Sequence, residues 1–172
     1  MSLEMLAEEP EILRRIREKV EDERLVLDFD RARAEAGKLL DELKGFDCNL
    51  GDFGNAPPIV VCRGSKYIAY IVVLNPHHIL TAKESVGLVE ALQPYLEKIR
   101  ETGLKPILIF YSRRGVLTMT AYLYLGSVIE NHDIGVLFIN GGPSEVAEVL
   151  WHLENAGKYV MEEEETVELS RV

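Results

Sequence analysis

The chain has 172 residues, which suits one ordinary domain, since single hydrophobic cores usually form at about 100–200 residues. Hydrophobic residues make up 47% of the sequence and charged residues 28%, a balance that is typical of globular proteins and excludes a disordered or fibrous chain. Because 29 Asp and Glu oppose 19 Lys and Arg, the net charge of −10 disfavours nucleic acid and anionic lipid as partners outside a local basic patch.

The first part of the chain predicts helices and a polar loop. Pro10 opens a helical pattern within an N-terminal extension that covers residues 1–24. A second helix is predicted over 30–44, where apolar residues recur with helical spacing. The following segment, 47–58, is rich in Gly, Asn, Asp and Pro, which predicts a loop.

A β-hairpin and a long helix follow the loop. Residues 59–62 and 67–74 are β-rich, and the turn composition of 63–66 joins them as a tight hairpin. The second run is apolar on both faces, which predicts a central strand. The helix predicted over 82–102 presents one apolar face and passes through Pro94.

The rest of the chain alternates strands and helices. The predicted elements are strand 106–111, helix 116–130, strand 135–140, helix 144–156 and a strand-like run at 159–169. Strands that alternate with helices of this length indicate parallel β-α-β crossovers. We therefore expect a single α/β domain over 1–172, with a mixed central sheet and helices on both of its faces.

The composition and the cysteine spacing predict the cellular compartment and the state of the two cysteines. No apolar stretch approaches the roughly 20 residues that span a bilayer, and the acidic start is unlike a signal peptide. We expect a cytoplasmic protein without membrane contact. Cys48 and Cys62 do not have C-x-x-C spacing, and in a reducing compartment we expect each to be a small buried hydrophobe rather than half of a disulfide.

The order helix, hairpin, helix, strand is also the core of the restriction-endonuclease-like nucleases, the PD-(D/E)XK superfamily. Residues 36–46 resemble the first helix and the following Gly-Phe of archaeal Holliday-junction resolvases. Residues 58–73 resemble their catalytic hairpin, and 104–110 are similar to the strand after their second helix. The resemblance covers residues 30–114 and implies a restriction-endonuclease-like core extended by further β-α-β units.

The residues that would carry nuclease chemistry are missing from that hairpin. The family has Pro-Asp on the first strand and Glu-x-Lys on the second, since two carboxylates hold a divalent metal while the lysine supports the attacking water. Here Ile59 follows Pro58, and Ile71 and Val73 replace the Glu and the Lys. The resemblance therefore implies an inactive relative, without catalytic residues, metal or cofactor, that acts as a binding or regulatory module linked to DNA recombination or repair.

Two other functions remain open. A metal-dependent nuclease would need carboxylates at new positions, and the candidates are Glu35, Asp47 and Asp52, although Asp in such a loop is usually a turn former. His77, in the pair His77-His78 after the central strand, is a further weak metal candidate, although exposed histidines would explain the pair as well. A small-molecule or nucleotide-binding domain would use the strand ends at His77, Arg113 and Gly141.

An anion or nucleic-acid contact is predicted at two strand-to-helix junctions. Arg113 and Arg114 end one strand just before a helix, where guanidinium and free helix N–H groups bind phosphate. Gly141, Gly142 and Ser144 form a second junction of this kind. Arginines paired with the chain's many acids, and an ordinary tight turn, would explain the same residues without a ligand.

The helix predicted over 116–130 is apolar nearly all round, and its apolar residues include Met119, Tyr122 and Leu123. A buried helix or a subunit interface would explain this, and we favour the interface. Resolvases act as two-fold dimers, so the resemblance also implies a homodimer. The acidic composition favours a protein partner over DNA.

Overall fold

The structure, a computed structural model, describes residues 10–15 and 26–155. Residues 11–15 are helical, as the sequence predicts. The rest of the expected N-terminal extension and the strand predicted at 159–169 lie outside the described residues. None of the helices in the described ranges is long and apolar enough to cross a membrane.

Helices and strands follow one another in nearly the predicted order. The helices are α1 (Phe29–Glu42), α2 (Ala82–Glu101), α3 (Met119–His132) and α4 (143–155). The strands are β1 (Asp47–Gly51), β2 (Ile59–Arg63), β3 (Tyr67–Val73), β4 (Ile79–Leu80), β5 (Lys105–Tyr111), β6 (Val116–Leu117) and β7 (Gly135–Ile139).

A mixed sheet of five strands lies at the centre, in the order β1-β2-β3-β5-β7. β1, β2 and β3 pair antiparallel, whereas β3, β5 and β7 pair parallel. β3 is the third strand of the sheet, which confirms the predicted central strand and hairpin. β4 and β6 form a separate parallel pair beside the main sheet.

Helices cover both faces of this sheet, as expected for the α/β class. Successive strand residues point to opposite faces, so the apolar strands feed two cores. The core under α1 and α4 contains Leu39, Ile71, Ile109 and Leu150. The core under α2 and α3 contains Val72, Leu96, Phe110 and Leu125. Full burial of one such side chain contributes about 1.5–3 kcal/mol, so the two cores hold the helices in place.

The helices begin at side-chain caps. Asp28 accepts hydrogen bonds from the first turn of α1, and Thr81 forms a capping box with Glu84 at the start of α2. Thr118 caps α3, so that helix begins at Met119 rather than at residue 116 as predicted. Val116 and Leu117, which precede the cap, form β6 and pair with β4 instead of starting the helix.

The segment predicted as a loop begins with a strand, β1, whose composition gave no sign of it. Cys48 lies directly opposite Cys62 on β2, with Cα atoms 4.1 Å apart, and a disulfide joins them. The expectation of two separate cysteines is therefore wrong, because antiparallel pairing brings opposed side chains together.

Candidate functional site

The positions at which the nuclease resemblance expects catalytic side chains are deep in the cores. Ile59, Ile71 and Val73 have no exposed surface. Ile59 pairs with Val72 and faces the core under α2 and α3, whereas Ile71 and Val73 face the opposite core. Carboxylates at positions 59 and 71 would therefore lie on opposite faces of the sheet, where they could not share one cation.

The carboxyl ends of the parallel strands, where open α/β sheets bind ligands, are closed by their own loops. The Ser112 hydroxyl donates to the Asn75 carbonyl at 2.9 Å, and both side chains are buried. The Arg114 N–H donates to the Asn140 carbonyl at 2.7 Å. The loops after β3, β5 and β7 thus bind one another at the edge where the sequence analysis expects a ligand.

The loop after β5 also packs tightly on the loop that contains the two histidines. A Cβ added at Gly115 would meet the Ser112 side chain and lie 2.8 Å from the His78 carbonyl oxygen. His78 is fully buried, contrary to the expected exposed pair, and its Nε2 lies 2.9 Å from Glu84 Oε2. His77 is exposed, with a φ of 62°. His78 therefore makes a structural contact, whereas His77 faces solvent.

Arg113 turns toward α1 and pairs with a buried carboxylate. Its Nη2 lies 3.2 Å from Glu35 Oε1, and its Nε lies 3.4 Å from Oε2. The Glu35 side chain is only 4% exposed, and the Lys38 ammonium lies 3.6 Å from the same Oε1. Of the alternatives for Arg113, the ordinary ion pair describes this contact. The pair ties α1 to the end of β5.

Tyr111, the last residue of β5, is a residue that the sequence analysis missed. It is fully buried, and its hydroxyl has no hydrogen-bond partner among the described residues. Burial, reinforced by the Glu35 carboxylate, raises the pKa of Tyr111 to about 12, with Arg113 opposing and Glu145 adding to the rise. The only sequence signal was a tyrosine at the polar end of an apolar strand.

The junction before α4 carries its own carboxylate as well. Residue 143 is the first in the helix, which puts Pro143 where a helix accepts proline most readily. The Glu145 carboxylate occupies the space that a Cβ on Gly141 would fill. Glu145 thus covers one of the glycines predicted to meet an anion, while Ser144 and Arg114 are exposed to solvent.

The candidate metal ligands do not meet. In residues 10–15 and 26–155 no group of three or more His, Cys, Asp or Glu side chains is placed to hold a metal ion. Asp52 accepts a hydrogen bond from the Gly54 N–H at 3.2 Å, the contact of a turn former. Asp47 begins β1 opposite Arg63, away from the pair formed by Glu35.

The chain matches no protein-family model, no curated protein and no solved structure. The nuclease resemblance thus remains an interpretation of the order and spacing of residues.

An exposed apolar surface lies on α3 and the neighbouring strand β7, and we call it the α3–β7 surface. Its exposed members are Met119, Tyr122, Leu123, Ile129 and Leu137. A groove of about 600 Å³ runs between the helix and the strand. In the part of the sheet that the structure describes, β7 is the last strand.

Proposed function

We propose that the protein is a non-catalytic binding module that forms a homodimer through the α3–β7 surface. The observation that carries the proposal is this surface itself, because monomeric proteins rarely expose contiguous large apolar side chains. Leu123 is 63% exposed and Met119 is 71% exposed, although both belong to a helix whose other face is in the core.

The charge distribution allows a second copy of the chain to occupy the α3–β7 surface. Two copies that each carry a net charge of −10 repel one another over most of their surfaces. Within α3 and β7 the only carboxylate is Glu130, so contact there avoids that repulsion. The same patch on both protomers would form a two-fold interface, in which the exposed apolar side chains of α3 and β7 pack against their own copies.

The absence of catalysis is supported by the buried aliphatic side chains at the three family positions. Ile59, Ile71 and Val73 supply neither a metal ligand nor a proton acceptor. The resemblance links such a module to DNA recombination or repair. There, the net negative charge favours a regulatory contact with protein over direct binding of DNA.

Sedimentation equilibrium of the full chain tests the interface. We expect a dimer for the wild type and a monomer for Leu123→Glu, with unchanged far-ultraviolet circular dichroism. Leu50→Glu is the matched control, since Leu50 is 55% exposed on β1 at the opposite edge of the sheet, and it should remain dimeric. A monomeric wild type, or a dimeric Leu123→Glu, would refute the proposed interface.

A DNA assay tests the absence of catalysis separately. Labelled four-way-junction and duplex DNA are incubated with the protein at low salt, with and without Mg²⁺ or Mn²⁺. We expect no cleavage under any of these conditions. Metal-dependent cleavage that is lost in Asp52→Ala would establish a nuclease with migrated carboxylates and overturn the proposal.

A further inference from the structure

A polar cleft lies at the amino ends of the parallel strands β3 and β5, opposite the loops that follow these strands. A cleft of about 280 Å³ opens there, between the starts of these strands and the ends of α2 and α3. Three basic side chains and one acidic side chain line it, namely Lys66, Arg100, Lys105 and Asp133. The lining therefore carries a net positive charge in a chain whose overall charge is −10.

The two lysines of the cleft are not neutralised within the described residues. Neither Lys66 nor Lys105 has a carboxylate oxygen within 4.0 Å there. Several other basic residues do have a carboxylate partner, for example Lys38 with Glu35 and, in the cleft itself, Arg100 with Glu97 at 3.4 Å. Unpaired ammonium groups that share a concave site create a positive potential that attracts anions.

Backbone and side-chain contacts hold the basic groups near one another. The Lys105 N–H donates to the Lys66 carbonyl at 2.9 Å, so the backbone of Lys66, the residue just before β3, lies beside the first residue of β5. The Arg100 guanidinium donates to the His132 carbonyl at 2.9 Å. This bond fixes the arginine and offsets the negative end of the α3 dipole, and groups held in place before binding lose less entropy when a ligand arrives.

We propose that this cleft binds a small molecule bearing an oxyanion, of the phosphate or carboxylate type. Lys and Arg donors form charge-assisted hydrogen bonds with both groups. At about 280 Å³ the cleft is slightly smaller than most small-molecule sites, which suits a small anion, and the net charge of the chain repels long polyanions such as DNA. The site is independent of the α3–β7 surface, so either proposal can fail without the other.

Thermal unfolding of the full chain in the presence of inorganic pyrophosphate tests the site, with citrate as a parallel arm and ionic strength held constant with sodium chloride. We expect a saturable rise in Tm with at least one of the two anions. A response to pyrophosphate alone assigns a phosphate ligand, and a response to citrate alone assigns a carboxylate ligand. A response to both assigns the shared oxyanion chemistry.

Three variants locate the binding. Lys66→Gln and Lys105→Gln should each weaken the apparent affinity by about tenfold or more, the loss expected for one charge-assisted hydrogen bond. Lys83→Gln removes an exposed lysine from the first turn of α2 and should bind like the wild type. The proposal fails if neither anion gives a saturable shift, or if all three variants respond equally.

Discussion

Removing Glu35 and removing Arg113 should reduce the free energy of unfolding by very different amounts, although the two residues form one ion pair. The Glu35 side chain is 4% exposed, whereas that of Arg113 is 38% exposed. Arg113→Met leaves a buried carboxylate with Lys38 as its remaining cation, at 3.6 Å, and we expect a loss of about 3 kcal/mol in the free energy of unfolding. Glu35→Met leaves a guanidinium that reaches water, so its loss should be below about 1 kcal/mol.

Urea unfolding at neutral pH measures both losses, and the double variant completes the cycle. Because Glu35→Met removes the charge that Arg113 neutralises, the double variant should lie close to Glu35→Met and well above Arg113→Met in stability. Lys44→Met is the control, since its ion pair with Asp41 is exposed and should contribute almost nothing. Equal losses from the two single variants, or a larger loss from Glu35→Met, would refute this account of the buried pair.

Three further predictions concern stability. Tyr111→Phe removes the unpartnered hydroxyl and should raise the free energy of unfolding by about 1 kcal/mol. Folding raises the pKa of Tyr111 from 10.0 to about 12, so between these pH values the phenol ionises in the unfolded chain first and the free energy of unfolding falls. Tyr111→Phe lacks this ionisation and should lose less stability as the pH rises from 10 to 12. Parallel pH profiles for the two proteins would contradict the assignment. Reduction of the Cys48–Cys62 disulfide, at a sequence separation of 14, should cost about 3 kcal/mol in urea unfolding, whereas unchanged unfolding with reductant would argue against the bond. Gly115→Ala should cost about 1–3 kcal/mol through overpacking, while Gly87→Ala, in open space on α2, should gain up to about 1 kcal/mol; similar effects from both would contradict the packing described.

The order of the main elements was predictable because their apolar patterns are long and regular. The double-sided apolar run that became β3 and the one-sided pattern that became α2 carry enough residues to distinguish strand from helix. β1 was not predictable, because Asp47–Gly51 contains Asp, Asn and Gly, which are poor strand formers. Pairing with β2, reinforced by the disulfide, determines its conformation.

The polar contacts at the carboxyl edge were harder to predict than the fold. Glu35 and Arg113 are 78 positions apart, and each is an ordinary charged residue in its own segment. Only the packing of α1 against the end of β5 brings them together. Tyr111 shows the same limit, since the sequence placed it in a strand without showing that its hydroxyl would be enclosed.

The two halves of the sheet differ in how far along the chain their partners lie, and this has a consequence for folding. Arg63 and Ile68 pair across a tight turn, whereas Tyr67 meets Lys105 only after the whole of α2 has been traversed. Loop closure costs entropy before distant contacts can form. The antiparallel strands β1, β2 and β3 should therefore be assembled already at the rate-limiting step of folding, and β5 and β7 should join them afterwards.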